Sequence, residues 1–435
     1  MAVSQYGRRR GLRKRMKLSR IGRISMALVV SVAMGLGMTA CGGGTVGFMW
    51  VLGTQYNQIS GFKIDDFTGN LTEMPHQPFT SGGSNPVSLV VKPGGRYLYV
   101  VNKGGSTSGT GTLPCGTTGG VAEFSIGGDG VLTFQQCFAT QGSTPVWAQM
   151  DSTGSYLYVL DQFAPGTDCG TTNVNCHGDI TVFAIANDTG RLTLVPNQQI
   201  KNSDGTQLTY FPVGNTPTMM KIAGAGCLFT LDSGDQTVFP YSISGGQLTL
   251  PTNTTIQTGA GQLTSINAGS SYVYLTDAKA TSDSPGGYIL PYTVGTGCSL
   301  NLLTGGKVPN LPQTSNPTYS MVDGSGSYLY VANQSTTNSN APSFSSISAF
   351  TIDKTTGKLQ PVPDTGNNPY QVGAGPVCMV EDPSNQYLFT SNNVAGTVTG
   401  FNLDKSTGEL SNLRRGSTFT TTGLPTCLVV SGSVD

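Results

Sequence analysis

The chain has 435 residues, and its 23 Lys and Arg balance 23 Asp and Glu. With only 11% charged residues and 60 Gly, it lacks the Ala, Leu, Glu and Lys that long amphipathic helices need, which excludes an all-helical fold. An apolar share of 37%, with Tyr and Phe at 17 each, is too high for a disordered chain and points to many short strands joined by Gly-rich turns.

Residues 1–40 hold nine basic residues and no acid, so the mature part carries 14 basic against 23 acidic residues. An apolar run from Ile24 ends in Met38-Thr-Ala-Cys41. It is short for a membrane span, which needs about 20 apolar residues, and is the length of a signal-peptide core. The ending resembles a bacterial lipoprotein signal, with Met38 where Leu is usual, and this implies a lipid anchor on Cys41. Residues 1–40 are read as signal peptide, 41–46 as a flexible tether and 47–435 as the folded domain. The expected location is the bacterial cell envelope, periplasmic or at the cell surface. The basic leader is discarded, and the acidic remainder excludes nucleic acid as a partner.

From residue 47 onward one unit recurs. Its first element reads GFMWVLG from Gly47, RYLYVVN from Arg96, SYLYVLD from Ser155, CLFTLD from Cys227, SYVYLTD from Ser271, SYLYVAN from Ser327 and QYLFTSN from Gln386. Alternating aromatic and branched residues closed by Asn or Asp describe a strand entering a turn. The second element is a hairpin such as FKIDDFTGNL from Phe62 or FTIDKTTGKL from Phe350. Its loop ends in Gly at positions 69, 130, 190, 246, 357 and 408, where a left-handed backbone is needed. A third element opens with Pro86, Pro145, Pro217, Pro317, Pro376 and Pro425, where the missing N–H is tolerated; Leu263 stands in its place once.

Four strands per unit, repeating about every 56 residues, predict an all-β, seven-bladed β-propeller with four-stranded antiparallel blades. The first unit lacks its opening strand and the last opening strand, at Pro425, lacks a unit. Pairing the two closes the ring.

The Y-V-x-N strand, the F-x-I-D-x-x-T-G-x-L hairpin and the Asn-Pro or Thr-Pro opening resemble the seven-bladed lactonase propellers, a family of 6-phosphogluconolactonase-like and muconate-lactonising-like proteins. The resemblance implies lactone hydrolysis at the mouth of the central channel. His177 is a candidate base for activating water, in a loop with Cys169 and Cys176 and with Asp168 and Asp179 nearby. His76 is a weaker candidate on the same face. Among innermost-strand residues, Lys221 is a candidate carboxylate anchor and Glu381 a candidate general acid or base. Gln149, Trp147, Asn267 and Tyr319 are candidate substrate contacts. The Asn and Asp residues closing the second strands, Asp161 among them, read as turn caps because they recur in six blades. The mature chain has only Arg96, Arg191, Arg414 and Arg415, none in an inner strand, which weighs against a phosphosugar substrate. No zinc spacing and no nucleotide loop is present, so no metal and no cofactor is expected.

Eight Cys remain after Cys41, in an oxidising compartment. The expected bridges are Cys169–Cys176, Cys115–Cys137 and Cys227–Cys298. Cys378 and Cys427 share a register in adjacent inner strands, where a bridge would lock the ring but risks exceeding the ~7 Å reach. The alternative to a hydrolase is a non-catalytic, monomeric propeller that binds an envelope protein or glycan.

Overall fold

The computed structural model describes residues 44–105, 113–167, 176–224, 226–251, 255–311, 314, 316–335, 344–363 and 367–432. The leader, Cys41, Asp168 and Cys169 lie outside them. Seven antiparallel sheets are arranged as blades, and among the described residues the one helix is a single 3-10 turn, Thr296–Cys298. Strands are named A to D from the axis outward. In blade 2 they are Pro86–Val91, Tyr97–Asn102, Gly120–Ile126 and Leu132–Phe138. Strand A of blade 1 is the C-terminal Pro425–Ser431, which pairs with Thr45–Gly53, so the two ends of the domain close the ring as the repeat arithmetic requires.

In every blade but the second, strand D is broken into two short pieces that both pair with strand C, such as Leu71–Glu73 and Phe79–Thr80 on Gln58–Asp65. This outermost strand is the exposed edge, and interrupting it removes the row of free backbone groups that would recruit another strand.

The recurring Y-x-Y of strand B has a physical reason that strand propensity does not supply. In blades 2, 5 and 6 both tyrosines reach to the next blade and donate to carbonyls of its C–D hairpin, whereas in blade 3 the Tyr158 hydroxyl is buried without a partner. Tyr272 and Tyr274 bond Thr355 O and Gly357 O at 2.6 and 3.2 Å. Tyr328 and Tyr330 bond Lys405 O and Gly408 O at 3.4 and 2.9 Å. Trp50 does the same to Gly130 O at 3.1 Å. Each hairpin Gly has positive φ, and a Cβ at Gly357 would run into the Tyr272 ring, so glycine serves both the turn and the clasp. Between blades 4 and 5 the clasp is covalent. Cys227 stands where other blades have the first tyrosine, Cys298 stands at the glycine position with φ 58°, and the two are bridged at a Cα separation of 5.5 Å. The aromatic bodies of these side chains fill the gaps between blades, where Trp50, Tyr99, Tyr274 and Tyr330 are fully buried. Each such burial contributes about 1.5–3 kcal/mol.

Cys115–Cys137 also forms, at a Cα separation of 5.6 Å. Cys378 and Cys427 come within 5.1 Å, well inside bridging reach, and are joined. The inner strands of blades 7 and 1 approach closely because they lie nearest the axis, where radial sheets converge. Cys176 is disulfide-bonded and buried, while its expected partner Cys169 falls outside the described residues.

Candidate functional site

The seven A strands start in register at the proline position, so the lumen can be described in layers. The B–C and D–A connections form one face, called here the loop face. The A–B turns and C–D hairpins form the other, the hairpin face. Each A strand runs from the loop face to the hairpin face, at roughly 3.3 Å per residue.

Two residues below the opening position stand Trp147 in blade 3 and Tyr319 in blade 6. Although these blades are three places apart, the ring centroids are 6.4 Å from each other. Trp147 packs against core clusters of the first and second blades and of the fourth and fifth, which a side chain reaches only from the axis. The pair therefore spans the lumen and constricts it. The Cys378–Cys427 bridge occupies the same layer. Trp147 Nε1 is buried without an acceptor, and burial pushes the Tyr319 hydroxyl up to about 12.

Above the constriction, toward the loop face, the inner wall is chemically quiet. Val87, Val146 and Val377 share the layer with four threonines whose hydroxyls are already bonded, as in Thr318 to Pro376 O at 2.6 Å, Thr426 to Pro86 O at 3.0 Å and Thr264 with Thr276 Oγ1 at 2.8 Å. His177 is exposed, at the start of strand C of blade 3, where its carbonyl accepts the Ala164 N–H at 2.9 Å. His76 is exposed in the connection between blades 1 and 2, with φ 60°. Neither lies on an inner strand.

Below the constriction, two layers carry the charged inner-strand residues. Lys221 and Gln149 share a register four residues past their prolines. Lys221 keeps some accessible surface yet engages no acceptor or carboxylate among the described residues, and desolvation holds its ammonium below the usual lysine range. The Gln149 amide makes only a long contact, 3.5 Å, to Met150 O. Asn267 is different: it donates to Ser320 O at 2.8 Å and accepts from Ala268 and Val322 N–H groups, so it clamps blade 5 to blade 6. Glu381 ends strand A of blade 7. Its Oε2 accepts the Gly324 N–H of the blade 6 turn at 2.6 Å, while Oε1 is buried without a donor. Burial pushes this carboxyl up to about 7; the Gly324 bond opposes the shift, and repulsion from Asp323 and Asp382 reinforces it.

The structure thus brings Lys221, Gln149 and Glu381 to one side of a plug formed by Trp147 and Tyr319. It leaves His177 at the other end of the ring.

Sequence reasoning missed a carboxylate pair. Asp161, closing strand B of blade 3, is the direct cross-strand partner of Asp179, and both are fully buried. Thr140 and Thr181 donate to Asp161 at 2.7 and 3.3 Å, and Asp179 receives no donor of ordinary geometry. Burial raises both above the carboxylate range, and repulsion from Asp161 raises Asp179 further, so the pair retains a proton through neutrality. The signal was available as two aspartates flanking one B–C loop at matched distances from its ends. Two open clefts of about 410 Å³ meet at Phe344 and Gln371 between blades 6 and 7; one is lined by the outer strands, and the other reaches Gly375, just before the inner strand of blade 7.

A family model described as "Lactonase, 7-bladed beta-propeller" matches residues 49–262 and 286–429. Among curated proteins no sequence matches. Among solved structures, a protein from Bacteroides fragilis described as a proposed 6-phosphogluconolactonase is 18% identical, with a TM-score of 0.63 over 88% of this chain and 98% of that one. The periplasmic gluconolactonase of Pseudomonas aeruginosa is 16% identical, with a TM-score of 0.63 over 89% and 99%. A protein from Lactobacillus plantarum is 18% identical, with a TM-score of 0.63 over 89% and 100%.

Proposed function

Because the chain belongs to the seven-bladed β-propeller lactonase family, we propose that it hydrolyses a small lactone in the lower half of the lumen. One observation carries this reading. Lys221 and Glu381 are the only inner-strand residues of charged type, both lie on the hairpin-face side of the plug, and burial lowers the lysine below its usual range and raises the glutamate to about 7. Catalytic acids and bases need such poise.

In the proposed reaction, the ionised Glu381 carboxylate takes a proton from water as the water oxygen bonds to the lactone carbonyl carbon. The charge developing on the carbonyl oxygen is stabilised by the Lys221 ammonium, with the Gln149 amide as a second donor. The ring C–O bond then breaks, and the protonated Glu381 returns its proton to the leaving alkoxide. The product is a hydroxy-carboxylate.

Expected is a kcat/KM that is low below, and rises through, about pH 7. Glu381→Gln should lower kcat at least ~100-fold. Unchanged turnover in that variant, or a limb in the ordinary glutamate range, would sink the assignment.

The reaction is placed outside the cytoplasm, with the protein held through a lipid on Cys41. The lipoprotein-like Met38-Thr-Ala-Cys41, the disulfides and the periplasmic gluconolactonase of the same fold support this. Wild type should partition with membranes and Cys41→Ser should not.

A further inference from the structure

The chemistry of the lumen below the plug also constrains what can enter it. In the layer shared by Lys221 and Gln149, the other blades contribute Val90, Asn267, Met321, Val380 and Val429. Asn267 spends its amide on neighbouring backbone and Met321 is buried in the core between blades 6 and 7, so the wall of that layer offers one cation, one loosely held amide and three partly accessible valines. One residue nearer the hairpin face, blades 2, 4, 6 and 1 place Val91, Ile222, Val322 and Val430, all partly accessible, and the only charge there is Glu381. Of the four arginines of the described residues, Arg96 closes the A–B turn of blade 2, Arg191 lies in the C–D hairpin of blade 3, and Arg414 and Arg415 lie in the break of strand D of blade 7; none is in an inner strand. The far end is shut by two aromatic rings.

The geometry points to a blind lumen entered from the hairpin face, built for a lactone with an aliphatic body rather than a sugar lactone. This rests on the hydrolytic reading of the same site. A polyhydroxylated ring placed here would lose its water and find, beyond Lys221 and Glu381, which the reaction itself engages, only Gln149 to bond, too few partners for its several hydroxyls. An alkyl chain would gain contact with Val90, Val380 and Val429 instead. After ring opening, the new carboxylate would supply the unpaired Lys221 with the anion it lacks.

Steady-state hydrolysis by the purified protein of δ-valerolactone, δ-hexalactone, δ-octalactone and glucono-δ-lactone tests this. Calorimetric binding of 5-hydroxyoctanoate runs in parallel. Expected is a kcat/KM that rises roughly fourfold per added methylene, with glucono-δ-lactone at least ~100-fold poorer than δ-octalactone. Lys221→Met should weaken 5-hydroxyoctanoate binding at least tenfold without lowering thermal stability, since it removes a desolvated charge. Val380→Asn should flatten the chain-length dependence, which guards against a single uninformative variant. Turnover of glucono-δ-lactone equal to that of the alkyl lactones would overturn the ligand class and leave hydrolysis standing. No turnover of any lactone, with 5-hydroxyoctanoate still bound through Lys221, would overturn hydrolysis and leave the ligand class standing. No binding and no chain-length dependence would overturn the inference outright.

Discussion

The two ends of the lumen are built from the same seven strands and differ in almost every chemical respect. At the loop face, the wall is three valines and four threonines whose hydroxyls are already bonded, and the ionisable residues nearby face outward or are sealed inside a blade. At the hairpin face, an unpaired lysine, a glutamate poised at about 7 and a loosely held amide line an otherwise aliphatic wall. Long loops draw attention to the first end, because loops are where function usually sits. The wall of the second end carries the reactive groups. Loop length locates freedom to vary, whereas the charged groups that line the inner wall, Lys221 and Glu381, stand at the opposite end.

The comparison depends on the plug, so removing it gives the largest effect. Trp147→Ala deletes a side chain that touches core residues on both sides of the axis, and should cost about 3–5 kcal/mol in denaturant unfolding. A loss under 1 kcal/mol would mean that Trp147 does not bridge the lumen and that the ends are continuous.

A smaller effect is expected from the buried pair of blade 3. Asp161 and Asp179 have folded-state pKa values raised above the ordinary value of 3.8. Protonation therefore favours the folded state, so the contribution is complete below that value and is lost as pH climbs through the raised values. Asp179→Asn keeps the shape and removes one ionisation. It should stabilise by about 1–3 kcal/mol at pH 8 and little at pH 4, while leaving catalysis at the other end untouched. Equal stability change at both pH values would show that the pair does not share a proton.

How far these features could be read from the letters differs by kind. Strand order, ring closure and the Gly-bearing hairpins were legible because each unit repeats them. The Cys227–Cys298 bridge follows from laying one unit over another, once Cys227 falls on the tyrosine position and Cys298 on the glycine. The aspartates closing strand B show where this reading stops. Asp277 accepts three backbone N–H groups, from Gly261, Gln262 and Lys279 at 3.0, 2.8 and 2.9 Å. Asp161 occupies the same place and meets a second carboxylate. The same residue in the same register has two environments, because the connecting loops that supply or withhold donors do not repeat. The meeting of Trp147 and Tyr319 was hidden for another reason. It depends on closure of the ring, which brings blades 3 and 6 to a common axis from positions 172 residues apart in the sequence.

The smallest expected effect is the sharpest test of the comparison. His177 is exposed, begins strand C of blade 3 two residues before Asp179 at the loop face, and is separated from Lys221 and Glu381 by the plug. A base must come within about 2.6–3.2 Å of the proton it removes, directly or through one water. A histidine at the loop face cannot meet that condition for a lactone held at the hairpin face. His177→Ala should therefore change kcat/KM by less than about twofold and leave the rise through about pH 7 in place, since that limb belongs to Glu381. A tenfold loss, or a limb that disappears with the imidazole, would move the reaction to the loop face and reverse the roles of the two ends.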